Sequence, residues 1–118
     1  MIQYEKIELD YQLPIKLLDI YFEDHHTKTA KHYHNNIEIL IPVLGKLKLF
    51  LTDKELIIPQ GSLYIINSQE IHGMRHTEDT DIYKGYSLQI NYDFIKRYYP
   101  AIDSYQFIQP SKRIQKRY

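Results

Sequence analysis

Residues 32–38 read HYHNNIE, the most informative seven positions in the chain. His32, His34 and Glu38 all stand at even positions, so on one extended strand their side chains face the same side. Two imidazoles and one carboxylate on one face can bind zinc, nickel, iron or manganese, and they leave coordination positions open for a substrate. His72 lies far along the chain, and a strand that placed it beside the first would bring a third imidazole to the same cavity.

Short alternating segments make up most of the remaining sequence. Leu47, Leu49 and Leu51 alternate with Lys48 and Phe50, which is the period of a strand with one buried face. At least seven such segments, separated by turns, predict a small sandwich or barrel. The predicted strands cover residues 4–9, 16–22, 37–43, 47–51, 55–58, 63–66, 71–76 and 82–91.

Only one segment is expected to form a helix. An apolar stripe over residues 94–99 ends at Pro100, and Asn91 or Asp93 can cap its start. Residues 101–118 carry no strong pattern and end in a basic cluster. The sequence therefore predicts strands followed by one short helix.

Length and charge limit the classes of function. The chain has 118 residues, enough for one domain with one core. Four basic residues lie in the last eight positions, and without them 11 basic side chains stand against 15 acidic ones over residues 1–110. Such an acidic body is a poor match for a phosphate backbone, so nucleic acid is not expected to bind it directly. The chain has no cysteine, no apolar run of membrane length and no signal-peptide pattern, so we expect a cytoplasmic protein without membrane association.

These residues resemble the two motifs of the cupins. The first motif is matched by His32, His34, Glu38 and Gly45. In the second motif only Gly61 and His72 match, because the usual proline, second glycine and asparagine are replaced. Those replacements are Asn67, Gln69 and His76. The resemblance implies an all-β cupin barrel, a double-stranded β-helix or jelly roll, with a short C-terminal helix.

Within the cupins, residues 15–100 resemble the N-terminal sensor domain of AraC-type transcriptional regulators. The resemblance implies an effector-binding and dimerisation domain at residues 1–100 that takes a small metabolite, such as a sugar. It also implies a homodimer. Residues 101–118 would then be a linker or tail toward a DNA-binding domain that is not part of this chain, and DNA would be bound only through that domain.

The expected ligand pocket combines the polar cluster with three tyrosines. It consists of His32, His34, Glu38, His72, Tyr33, Tyr64 and Tyr86. His32, His34, Glu38 and His72 either hold a divalent metal or form a polar network that satisfies buried groups. We expect sensing without catalysis, no catalytic residue and no required cofactor. The alternatives are a stand-alone metal-dependent cupin enzyme, such as a dioxygenase or isomerase, and a dimerisation module with a closed core.

Overall fold

The computed structural model describes residues 3–4, 14–23, 31–77 and 82–104, and most of its regular structure is β-strand. The strands are β1 (Gln3–Tyr4), β2 (Ile15–Phe22), β3 (His32–Tyr33), β4 (Ile37–Leu44), β5 (Leu47–Phe50), β6 (Glu55–Ile58), β7 (Tyr64–Ile66), β8 (Gly73–His76) and β9 (Tyr83–Ile90). They are followed by α1 (Tyr92–Tyr98) and a 3₁₀ helix (Pro100–Ser104). The expected all-β class with one short α-helix is confirmed. Residues 5–9 of the first predicted strand and residues 105–118 of the predicted tail lie outside the described residues.

The strands form two antiparallel sheets. One has the order β2-β9-β4-β7 and the other has the order β6-β5-β8, while β1 and β3 pair in parallel. β2 and β9 pair along all eight residues of each strand, from Ile15 beside Ile90 to Phe22 beside Tyr83. Because β9 also pairs with β4, the last of the described strands lies in the middle of the larger sheet.

The core lies between these two sheets. Leu47 and Leu49 of β5 and Leu51 just after it are all buried, as their alternation predicts. They pack with buried side chains from the larger sheet, including Leu40 and Ile66. Removing one such leucine side chain typically costs about 2–5 kcal/mol. The period of two in the sequence therefore selects the face that becomes the core.

Two glycines and a proline shape the turns around β4. Gly45 and Gly61 have φ values of 81° and 82°, a backbone conformation that side chains with a Cβ rarely adopt. Pro42 lies inside β4, and its carbonyl accepts a hydrogen bond from Gly61 N at 3.1 Å. In a strand, the N and O of one residue point to the same side. Pro42 has no N–H, and this side of Pro42 faces β7, which pairs only with residues 38–40. The proline therefore removes no hydrogen bond from the sheet. β4 tolerates its proline for this reason.

The helix begins and ends where the sequence predicts. The side chain of Asn91 accepts a hydrogen bond from Phe94 N at 2.9 Å, a cap of the kind worth about 1 kcal/mol. The 3₁₀ helix was not predicted, although its first residue is the predicted stop, Pro100. Its Ile102 is buried, and this isolated apolar residue was the one feature of the sequence that could have indicated a packed segment after Pro100. Within the described residues, neither helix is long and apolar enough to cross a membrane.

Candidate ligand and metal site

The two histidine-bearing segments meet as neighbouring backbones. His32 N donates to His72 O at 2.8 Å, and His72 N donates to His32 O at 2.9 Å. This antiparallel bridge places the two imidazole centroids 4.4 Å apart. The predicted meeting of a distant third imidazole with the first two is therefore present in the fold.

The stretch 32–38 does not form the single extended strand on which the alternation argument rests. β3 ends at Tyr33, the chain bends at Asn35 and Asn36, and β4 begins at Ile37. The bend is held by contacts with residues 68–69. The bend turns Glu38 back toward His34, so the three polar side chains converge although no single flat strand carries them all.

Three buried imidazoles form the centre of the site. His32, His34 and His72 each offer a ligand atom, and these atoms all lie within 4.8 Å of one another. His34 and His72 are almost fully buried, with exposures of 1% and 0%. Such a cluster has the donor type and spacing to hold a divalent metal.

Glu38 joins two of these imidazoles to β9. Its Oε1 lies 2.8 Å from His34 Nε2 and 3.2 Å from His72 Nε2, and its Oε2 accepts a hydrogen bond from Ser87 Oγ at 2.5 Å. Burial alone would raise the pKa of the Glu38 carboxyl. The contacts with His34, His72 and Ser87 outweigh burial and hold this pKa well below its usual range. Glu38 is therefore a buried carboxylate.

Backbone carbonyls determine how two of the imidazoles are oriented. His34 Nδ1 lies 3.1 Å from Asn36 O, and His72 Nδ1 lies 2.8 Å from Glu70 O. A carbonyl only accepts, so each Nδ1 carries the proton, and a neutral ring presents a bare Nε2. That Nε2 faces a carboxylate oxygen, which also only accepts. Each contact therefore needs a proton or a metal ion between the nitrogen and the oxygen, and His34, His72 and Glu38 fit a cation in this respect.

A second set of hydrogen bonds holds the two loops together. Gln69 N donates to His34 O at 2.7 Å, and Ser68 Oγ donates to Asn35 O at 2.8 Å. The Gln69 side-chain amide also donates to Asn35 Oδ1 at 3.1 Å. Gln69 has a φ of 69°, so the turn keeps a glycine-type backbone without glycine. These contacts position the loops that carry His34 and His72.

A cavity of about 560 Å³ opens beside the imidazoles. Its walls include His32, Glu38 and Met74, and one full side is formed by β2. The lining residues are Lys16, Leu18, Asp19, Ile20, Tyr21, Phe22, His32, Glu38, Met74, Ser87 and Gln89.

Sequence reasoning missed two polar residues of this cavity, Ser87 and Gln89. Both are buried on β9, where residues 83, 85, 87 and 89 face inward. The alternation of the predicted strand 82–91 was a signal that could have found them. The pairing of β9 with both β2 and β4, which places them beside Glu38, was not visible in the sequence.

The three predicted tyrosines are not brought together with the imidazoles. Tyr86 is 39% exposed on the outward-facing side of β9, because its neighbours Gly85 and Ser87 face inward. It lines a separate cavity of about 250 Å³. Tyr64 is half-buried and packs against the core, and Tyr33 is half-buried outside the lining of the larger cavity. Their assignment to one pocket is corrected accordingly.

Comparison with known proteins identifies the domain type. A family model described as an AraC-like ligand binding domain matches residues 16–115. That match extends past residue 100, where sequence analysis expects the sensor domain to end. No curated protein sequence matches the chain.

Solved structures share the fold at low sequence identity. The chain is similar to an RmlC-like cupin family protein with a double-stranded β-helix fold from Methanocaldococcus jannaschii, with 14% identity and a TM-score of 0.61 over 76% of this chain and 93% of that one. It is similar to FeII HppE, with 15% identity and a TM-score of 0.56 over 65% of this chain and 43% of that one. It is also similar to an HTH_3 family transcriptional regulator from Vibrio cholerae, with 19% identity and a TM-score of 0.58 over 71% of this chain and 47% of that one. The chain spans less than half the length of the last two proteins, and the expected cupin fold is confirmed.

Proposed function

Because the chain belongs to the family of AraC-like ligand-binding domains, we propose that it is the effector-sensing and dimerisation domain of an AraC-type transcriptional regulator. The effector is a small metabolite held in the cavity beside the imidazoles. DNA is bound by a unit outside this chain, the regulator acts in the cytoplasm as a homodimer, and no residue of the chain is catalytic. The boundary between a sensor at residues 1–100 and a linker at 101–118 is part of the same proposal.

The cavity of about 560 Å³ is the observation that carries this proposal. Its volume lies within the range of roughly 300–1,000 Å³ typical of small-molecule sites. Leu18, Ile20 and Phe22 supply an apolar wall, while Ser87 and Gln89 supply polar groups at the inner end. An apolar wall with a few fixed polar groups is the usual composition of a ligand site.

The path from the cavity to the helix is short. β2 lines the cavity and pairs with β9 along its whole length, and α1 follows β9 directly. Asn91, which caps α1, also donates its backbone N–H to Pro14 O at 2.8 Å, just before β2. A ligand that orders β2 would therefore bias the position of α1, and so the geometry of a dimer.

Ligand-dependent stabilisation tests the proposal. Metabolites are screened by thermal unfolding, and an effector at about 100 times its Kd should stabilise the domain by about 2.7 kcal/mol. Leu18→Trp fills the cavity and should abolish this response. Leu17→Trp, on the exposed side of the same strand, is the matched control and should retain it.

Two results would contradict the sensing function. The first is the absence of any metabolite response from a folded protein. The second is an identical response in both tryptophan variants, which would place binding elsewhere. In the full-length regulator, the effector should also change the affinity for operator DNA.

The imidazole cluster supports a second candidate, a stand-alone metal-dependent cupin enzyme such as a dioxygenase or isomerase. His32, His34, Glu38 and His72 would hold zinc, iron, nickel or manganese, and such an ion would act as a Lewis acid toward a bound substrate. Asn36 O and Glu70 O would keep each Nε2 directed at the ion through their hydrogen bonds with Nδ1.

Metal analysis separates the two candidates. Stoichiometric metal that is lost in His34→Ala and in the isosteric Glu38→Gln, together with turnover of a substrate, favours the enzyme. Metal-free protein that responds to a metabolite favours the sensor. Ser62→Ala, which removes an exposed hydroxyl far from the cluster, is the control for nonspecific loss of metal.

A further inference from the structure

Three polar side chains form one row across the larger sheet. Lys16 of β2 pairs in register with Gln89 of β9, and Gln89 pairs in register with Glu38 of β4. All three line the large cavity, so they lie on its inward face. Adjacent strands are about 4.8 Å apart, which places neighbouring members of the row within reach of one small group.

The amide of Gln89 is oriented with its donor toward the cavity. Its Oε1 accepts a hydrogen bond from Asn36 Nδ2 at 3.3 Å, which fixes the direction of the amide. Among the described residues, Nε2 has no acceptor. Gln89 is 3% exposed, so this donor depends on the cavity for a partner.

Lys16 supplies a cation next to this donor. Its side chain lines the cavity, and no acidic partner pairs with it in the part of the chain that the structure describes. An ammonium group and an amide N–H on adjacent strands present two donors and one positive charge. A carboxylate has two acceptor oxygens and one negative charge, so the two sets match.

The other charged groups around the cavity do not cancel the preference of Lys16 and Gln89 for a carboxylate. The Glu38 carboxylate is already engaged by His34 and His72 on one oxygen and by Ser87 on the other. Asp19 lines the rim but is exposed and stands at the opposite parity of β2 from Lys16, so solvent and salt screen it.

We propose that the effector is a carboxylate with an apolar body, bound by Lys16 Nζ and Gln89 Nε2. This inference rests on the proposed sensing function, because it names the chemical class of ligand for the same cavity. The apolar body lies against Leu18, Ile20 and Phe22, and the carboxylate end lies at the Lys16–Gln89 pair.

Matched acids and amides test the proposal. Phenylacetate and hexanoate are titrated against phenylacetamide and hexanamide, which have nearly the same shape without the charge. Binding is measured by calorimetry and by the side-chain amide resonance of Gln89 in ¹⁵N-labelled protein. The acids should bind about tenfold or more tightly than the amides and should shift that resonance.

Variants identify the donors. Lys16→Met, at an exposed edge position, and Gln89→Met, which removes the amide without adding a charge, should each weaken acid binding about tenfold or more. Amide binding should fall less, because an amide ligand offers these donors one carbonyl oxygen and no charge. Lys84→Met removes a lysine from the outward-facing side of β9 and is the control for general charge effects.

The possible results are distinguishable. Equal affinity for acid and amide, an effect of Lys84→Met as large as that of Lys16→Met, or no acid binding at about 10 mM would each overturn the carboxylate site. If polyols or amides bind in the cavity while acids do not, the site is wrong and the sensing function stands. If acids bind through Lys16 and Gln89 but leave operator binding of the full-length regulator unchanged, the site stands and the sensing function is wrong.

Discussion

Gln69 has a φ of 69°, a conformation that glycine adopts without steric cost. It stands where the second cupin motif has its second glycine. The turn survives the replacement because Gln69 N donates to His34 O and its side chain donates to Asn35 Oδ1. At the scale of the residue, backbone strain at Gln69 is therefore offset by contacts that also position the loop carrying His34.

Gln69→Gly should stabilise the domain by about 1 kcal/mol, since the cost of a Cβ in the left-handed region exceeds the value of one exposed hydrogen bond. Gln69→Ala is the matched control. It keeps the strain and loses the side-chain contact, so it should be less stable than the wild type. Urea unfolding measures both variants, and an alanine variant as stable as the glycine variant would contradict the strain argument.

β9 is the element that joins the core to the ligand cavity. Tyr83 and Gly85 face the core, and Ser87 and Gln89 face the cavity, all on one side of the strand. A Cβ at Gly85 would lie 2.3 Å from Tyr83 Oη and 2.7 Å from Ile41 O, so glycine is required here for space. Tyr83 Oη is buried without a hydrogen-bond partner among the described residues, and burial raises the pKa of this tyrosine.

A double-mutant cycle tests the close approach in β9. Gly85→Ala should destabilise the domain by about 1–3 kcal/mol through overpacking. Tyr83→Phe removes an unpartnered buried hydroxyl and should be neutral or slightly stabilising.

The double variant should lose less stability than Gly85→Ala alone, because the nearest clashing atom is gone. Equilibrium unfolding of the wild type, the two single variants and the double variant measures the coupling free energy between the two substitutions. Additive effects would mean that the clash with the Ile41 carbonyl dominates.

At the scale of the whole molecule, Glu38 connects the two sheets. It belongs to β4 of the larger sheet, and its Oε1 reaches His72, the residue just before β8 of the smaller one. Ser87 contacts its other oxygen from β9. A single carboxylate thus links three separate parts of the chain.

The pKa of Glu38 predicts how stability depends on pH. This pKa is lower in the folded state than its ordinary value of 4.5, so the unfolded chain binds the proton more readily. The stability that Glu38 contributes is therefore present above about pH 4.5 and is lost as the pH falls below it. Glu38→Gln should have a shallower loss of stability than the wild type between about pH 5 and pH 3.

Urea unfolding across this pH range measures the effect. Glu55→Gln, at an exposed carboxylate 3.6 Å from Lys48 Nζ, is the control and should follow the wild type. Parallel curves for Glu38→Gln and the wild type would contradict the assignment of a buried, ionised Glu38.

Local patterns in the sequence determined most of the strands, most turns, the capped helix and the identity of the three histidines and Glu38. Leucine alternation selected the buried face of β5, and Asn91 and Pro100 bounded α1. These features depend on residues that are close together in the sequence, so they can be predicted without knowing the tertiary structure.

Only the tertiary structure decided which side chains share the cavity. Strand register is set by contacts between distant segments, and it placed Lys16, Gln89 and Glu38 in one row while leaving Tyr86 on the opposite face. The backbone bridge between His32 and His72 brought the distant imidazole to the first two, and the bend at residues 35–36, held by Ser68 and Gln69, turned Glu38 toward His34 where a straight strand was expected. The face of a strand on which a side chain lies follows from its position in the sequence. Its partner on the neighbouring strand does not, because the register between strands is set by the burial of the whole apolar core.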